Sequence, residues 1–130
     1  MANVKTLLST ETVYFSIEVT NMERAKKFYQ DVFKFEVTFD GGEEVGWTEL
    51  DLPVAGAKLG LNLKTEGEIR PGLGKLVLVA TDLDAIKAYL EKKSIKTTDI
   101  TDIPDMVSYF DIYDSEGNMV QIVSDPRVKS

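Results

Sequence analysis

The 130-residue chain contains no cysteine and no histidine, and each absence removes a class of chemistry. Without thiols there are no disulfides, no thiolate nucleophile and no cysteine-held zinc or iron–sulfur centre. Without imidazole there is no Ser-His-Asp triad and no side chain whose ordinary pKa lies near neutrality. Acid–base chemistry falls to Asp, Glu, Lys or Tyr. Any metal would rest on carboxylates, amides and water, a donor set suited to magnesium, calcium or manganese. No apolar run approaches the roughly 18 residues that span a bilayer. Residues 1–12 carry no apolar stretch behind basic residues, so no secretory leader is expected. Cationic side chains are the minority, 15 Lys and Arg against 22 Asp and Glu, for a net charge of −7. That disfavours nucleic acid, whose binding runs through basic surface. The expectation is a cytoplasmic protein with neither a membrane nor a nucleic-acid partner.

What the chain does contain is a repeated grammar. Val19-Thr20-Asn21-Met22-Glu23 and Ala80-Thr81-Asp82-Leu83-Asp84 each end an alternating segment and open a helical one, 61 residues apart. The same offset pairs Phe15 with Leu76, Ile17 with Leu78, Phe28 with Tyr89, Leu59 with Val120 and Leu61 with Ile122. A register held through strands and helices alike implies two copies of one supersecondary unit.

Thr12 to Val19 alternates, with Val13, Phe15, Ile17 and Val19 against Tyr14, Ser16 and Glu18, and predicts a half-buried strand. Thr20 is placed to cap the following helix, with Glu23 completing a capping box. Met22, Ala25, Phe28, Tyr29 and Val32 then recur at helical spacing. Period two returns at Phe35–Phe39, Gly41-Gly42 predicts a turn, and strands follow at Trp47–Leu52 and Lys58–Leu63 around the turn Pro53–Gly56. Lys64–Gly74 reads as a connection. Its run Arg70-Pro71-Gly72-Leu73-Gly74-Lys75 lacks phosphate-loop spacing and leads into a strand, so it is a linker rather than an anion cradle. The second copy has a strand at Lys75–Val79, a helix capped by Asp82 or Thr81 with Leu83, Ile86, Tyr89 and Leu90 inward, and a short strand at Ile95–Thr98. An irregular stretch follows around Pro104, then strands Val107–Tyr113 and Met119–Val123 about the turn Asp114–Asn118. The fold class expected is α+β: one domain, residues 1–130, of two paired β-α-β-β-β modules (about 12–64 and 74–125) forming a mixed, cupped sheet.

The run Ile17-Glu18-Val19-Thr20-Asn21-Met22-Glu23-Arg24-Ala25-Lys26-Lys27-Phe28-Tyr29 resembles the first helix signature of the vicinal oxygen chelate superfamily, the glyoxalase, bleomycin-resistance and extradiol-dioxygenase group. Asp82-Leu83-Asp84-Ala85 resembles its second-module counterpart. Asp114-Ser115-Glu116-Gly117-Asn118-Met119-Val120-Gln121 resembles its Asp-Pro-x-Gly-Asn turn before the last strand, with Ser115 in place of Pro. Lys34 stands where the family commonly has Gly, which implies a positive φ there. The resemblance implies a cleft on the sheet side away from the helices and a homodimer. It also implies metal ligands on the first and last strands of each module, positions that fall on Tyr14, Gly60, Lys75 and Gln121. Gly60 has no donor, Lys75 is cationic, and Tyr14 ionises only near pH ~10. Gln121 alone could coordinate, so no metal and no cofactor is expected.

Alternation places Phe15, Ile17, Leu59, Leu61, Leu76, Leu78, Val120 and Ile122 toward the helices. The cleft then receives Tyr14, Ser16, Glu18, Lys58, Asn62, Lys75 and Gln121, and a one-residue shift in the repeat brings in Trp47, Glu49, Tyr109 and Asp111. A few polar groups on an aromatic background suit a small-molecule pocket. One wet face of an antiparallel sheet would account for the same residues without function. Two functions stay open at this point. One is a binding protein for a small organic ligand, with Trp47, Tyr14 and Tyr109 stacking and Glu18, Glu49 and Asp111 pairing with cationic groups. The other is a lyase, isomerase or dioxygenase-type enzyme with a divergent, histidine-free site; beside these two, a purely structural or partner-binding subunit stays open as a third reading.

Overall fold

A computed structural model describes residues 4–67 and 75–130. The linker expected at Lys64–Gly74 therefore lies largely outside the described residues, as does the Gly-rich run apart from Lys75. The chain divides into two compact units, residues 1–69 and 70–130, each with its own four-stranded mixed sheet.

In the first unit a 3-10 turn, Val4–Leu7, precedes β1 (Val13–Val19), α1 (Met22–Phe33), β2 (Val37–Asp40), a four-residue helix α2 (Gly42–Val45), β3 (Trp47–Asp51) and β4 (Ala57–Leu63). The sheet order is β1-β4-β3-β2. β1 lies parallel to β4, and β3 is antiparallel to both β4 and β2. The second unit repeats this with β5 (Leu76–Val79), α3 (Leu83–Lys92), β6 (Thr101–Ile103), β7 (Val107–Tyr113) and β8 (Met119–Ser124), in the order β5-β8-β7-β6. The α+β class and both β-α-β-β-β modules expected from the repeat are present.

The two long helices, α1 and α3, each start on an Asx cap. Asn21 is extended, and its side-chain oxygen accepts the Arg24 N–H at 3.0 Å; Asp82 does the same for Ala85 at 3.0 Å. The capping role expected of Thr20 thus belongs to Asn21, one residue on and in repeat register with Asp82. An Asx side chain is the stronger cap, and one such bond stabilises a helix start by about 1 kcal/mol. Met22, Ala25, Tyr29 and Val32 are buried on α1, and Tyr29 stacks on Phe35 with ring planes 6° apart. Lys34 ends the helix in the left-handed region, φ 60°, as its family position implied.

Three further expectations meet different outcomes. The turn at Gly41-Gly42 continues into α2, because Gly42 and Gly46, both at positive φ, bracket a single helical turn that returns the chain to β3. No strand forms at Ile95–Thr98. Thr98 instead makes a one-residue clasp, its N–H donating to the Asp111 carbonyl at 3.0 Å and its Oγ1 accepting the Asp111 N–H at 2.8 Å, and regular pairing resumes only at Thr101. The one-residue shift in the repeat is real. Six residues, 52–57, separate the paired Asp51 and Lys58, whereas five, 114–118, separate Tyr113 and Met119.

The edge strands β2 and β6 are fastened by the same device. Buried Thr48 on β3 donates to Asp40 on β2 at 3.3 Å, and Asp40 receives Lys26 of α1 at 2.8 Å. Buried Ser108 on β7 donates to Asp102 on β6 at 2.5 Å, and Asp102 receives the Arg127 guanidinium through two nitrogens, at 3.0 and 2.7 Å. A hydroxyl inside, a carboxylate at the edge and a cation outside satisfy each other without leaving a buried polar atom unpaired.

Candidate functional site

On the first sheet the pleat turns Phe15, Ile17, Leu50, Leu59 and Leu61 inward and presents the opposite face in three cross-strand rows. Tyr14, Lys58 and Asp51 form one row, Ser16, Gly60 and Glu49 the next, and Glu18, Asn62 and Trp47 the third. All six residues expected from this module, Tyr14, Ser16, Glu18, Trp47, Glu49 and Asn62, therefore share one face. The rings of Tyr14 and Trp47 lie 6.2 Å apart, tilted by 60°.

The polar groups between them are organised. The Tyr14 phenol donates to Glu49, and that hydrogen bond, more than desolvation or the nearby carboxylate charge, holds the phenol above its ordinary pKa of 10.0. Tyr14 is thus a proton donor on this face and a poor phenolate. Lys58 reaches Asp51 at 2.6 Å, which raises the ammonium pKa, and Lys64 lies 3.6 Å from Glu18. The Lys58–Asp51 pair was not singled out from sequence. The signal was available in the alternation of both strands, but only the hairpin register makes the two residues neighbours.

On the second sheet Tyr109, Asp111 and Tyr113 lie on the face opposite Phe110 and Ile112, as Gln121 lies opposite Val120 and Ile122. Asp111 and Gln121 are direct partners across β7 and β8, and the Gln121 amide donates to Asp111 Oδ1 at 3.1 Å. Tyr109 is level with Val123, and Val77 with Gln121, so apolar side chains flank the amide–carboxylate pair. Lys75 stands immediately before β5 and is exposed; Val77 rather than Lys75 is level with Gln121.

The four positions where the resemblance implies metal ligands have surroundings of other kinds. Gly60 offers no side chain, and the space a side chain would take is filled by the Trp47 indole. Tyr14 keeps its proton in the bond to Glu49 and Lys75 brings a cationic side chain, which leaves the Gln121 amide oxygen, its nitrogen donating to Asp111, as the one ordinary donor of the four. As a donor set these residues do not fit a divalent cation. Among the described residues no cluster of three or more Asp or Glu could take the role instead.

A separate cavity of about 520 Å³ lies at the start of α3, lined by residues 79–84 and 124–127. None of the residues expected from sequence lines it. Arg127 in its wall is bound to Asp84 at 2.6 Å as well as to Asp102.

Comparison with known proteins gives a consistent frame. The family model described as Glyoxalase/Bleomycin resistance protein/Dioxygenase superfamily matches residues 12–122. No curated protein matches the chain by sequence. Among solved structures, the chain is similar to TnmS3, an antibiotic binding protein from Streptomyces sp. CB03234, at 22% identity and TM-score 0.74, covering 90% of this chain and 97% of that one. It is similar to lactoylglutathione lyase from Agrobacterium tumefaciens at 18% identity and TM-score 0.73, covering 90% and 95%. A glyoxalase/bleomycin resistance protein from Streptomyces sp. CB03234 matches at 24% identity and TM-score 0.67, covering 85% and 97%. At these identities the likeness speaks for the fold alone. No helix among the described residues is long and apolar enough to cross a membrane.

Proposed function

The chain belongs to the Glyoxalase/Bleomycin resistance protein/Dioxygenase superfamily, and within it we propose that this protein binds a small organic ligand without the metal site that the resemblance implies. The observation that carries the reading is the Trp47 indole occupying the outward space of Gly60, a position where the family resemblance implies a metal ligand. Around it the first sheet offers what a non-covalent binder needs: aromatic surface from Trp47 and Tyr14, and carboxylates from Glu18 and Glu49. Ser16 and Asn62 on the same sheet belong to the proposed set, as do Lys75, Tyr109, Asp111 and Gln121 of the second unit. An antibiotic-binding protein of the same fold supports the class of function. That residues 1–130 act as one domain, in the cytoplasm and as a homodimer, belongs to the same proposal.

The rival is an enzyme that moves protons with the Tyr14–Glu49 pair, and a lyase of the same fold gives it some support. The two readings separate in one screen. A ligand specific to the native state at a hundred times its Kd adds about 2.7 kcal/mol to stability, so a panel of cationic aromatic compounds should contain members that raise the Tm of the purified protein. Glu49→Gln should diminish that rise. Absence of any shift across the panel, together with stoichiometric manganese or magnesium retained through purification, would reverse the assignment.

A further inference from the structure

Gly60 sits in the middle of β4, buried, at a backbone conformation outside the left-handed region. Its conformation therefore does not call for glycine, and a glycine inside a strand weakens the strand by leaving nothing to pack. A glycine in such a place marks close approach by another group. The group here is Trp47. A Cβ built on Gly60 would collide with Cη2 and Cζ2 of the indole and stand 2.9 Å from Cζ3. All three nearest atoms belong to one rigid ring, so making room for a side chain requires the whole indole to turn away.

We infer that Trp47 and Gly60 form a mutually exclusive pair: the indole lies against the sheet only because position 60 has no side chain, and no side chain can enter position 60 while the indole is there. This makes Trp47 the residue that determines what the first sheet holds. The ring presents a flat surface backed by main chain. Tyr14 is tilted against it at 6.2 Å, and Glu49, the direct partner of Gly60 across β3 and β4, is adjacent to the platform. A rigid indole backed by the sheet can stack on a planar unsaturated ring without ordering a loose side chain first, and the neighbouring carboxylate favours a ring bearing positive charge. The ligand class is thus a planar, cationic ring system, an assignment that rests on the binding function proposed above. The steric exclusion does not rest on it.

Two measurements keep these parts apart. Thermal unfolding of a double-mutant cycle tests the pair: Gly60→Ala should lower Tm by roughly 4–8 °C in the wild-type background, as overpacking of a filled site does. In a Trp47→Leu background the same change should be neutral or raise Tm, because the strand then gains a side chain it can pack. Equal losses in both backgrounds would overturn the exclusion. Trp47 is the single tryptophan of the chain, so its emission reports on the platform directly. Titration with 9-aminoacridine should quench it saturably, Trp47→Phe should retain most of the affinity measured by calorimetry, and Trp47→Leu should weaken it at least tenfold. Equal affinity for wild type and Trp47→Leu would overturn the platform while leaving ligand binding in place. Absence of saturable quenching would overturn the ring assignment, and only a further absence of thermal shifts across a wider panel would touch the proposed function itself.

Discussion

Replacing Lys34 by glycine should stabilise the protein, against the general rule that point substitutions destabilise. Lys34 closes α1 at φ 60° and ψ 28°, with its N–H directed to the Tyr29 carbonyl. A side chain in that left-handed conformation costs on the order of 1–2 kcal/mol, through the clash of Cβ with the following carbonyl. Glycine removes the clash but frees the unfolded chain, which takes back about 0.5–1 kcal/mol. Losing the lysine charge at a helix C-terminus costs a further few tenths, since α1 has no basic residue in its last turn. Lys34→Ala is the control that isolates the backbone effect, because it also loses the charge but keeps Cβ. The glycine variant should exceed the alanine variant by about 1 kcal/mol, a difference of roughly 3–6 °C in Tm for a chain of this size. Thermal melts followed by circular dichroism at 222 nm measure it. An alanine variant as stable as the glycine variant would refute the argument, showing that the helix end relaxes out of the left-handed region without cost.

Three other outcomes follow from named contacts. Asn21→Ala should cost about 1 kcal/mol in chemical denaturation, more than Thr20→Ala; the reverse order would return the cap to Thr20. Arg127 holds the Asp102 carboxyl at about 2, below its ordinary 3.8. A depressed carboxyl contributes stability that is complete above pH ~4 and fades as pH falls toward 2, so Arg127→Ala should move the acid-unfolding midpoint upward, and an unchanged midpoint would show that the fork contributes nothing. Tyr14 is held above 10.0 chiefly by donating to Glu49. Its raised pKa stabilises the fold below the unfolded value and is lost as pH climbs through the folded one. Glu49→Gln should therefore bring one tyrosine to ionise earlier in an alkaline titration at 295 nm, and an unaltered curve would place the phenol elsewhere.

The repeat made the fold legible before any coordinates. An offset that pairs Phe15 with Leu76 and Leu61 with Ile122 fixes strand faces, because slipping a strand by one residue would turn every core side chain outward. Even the disagreement in β3 and β7 was readable as a shift, and the structure assigns it to a hairpin one residue shorter in the second module. Local competition was not readable. Asn21 and Thr20 are both competent caps, and only the chain's exit from β1 decides between them. The strand expected at Ile95–Thr98 had the composition for it, yet Thr98 used its hydroxyl to satisfy the Asp111 N–H in place of a ladder bond. For the site, alternation was enough to place Trp47 and Glu49 with Tyr14. It could not show that Trp47 lies over Gly60, although a glycine among Leu59, Leu61 and Leu63 was the one hint that some group lay close to the main chain.

Metal-independent binding is tested most directly by calorimetric titration of protein exhaustively treated with EDTA, using the cationic aromatic compound that gives the largest thermal shift, and by repeating the titration in excess manganese. The same dissociation constant in both conditions is the result expected of a face built on Trp47, Tyr14 and Glu49. Binding that appears only with manganese, and that disappears again when the ion is removed, would contradict it.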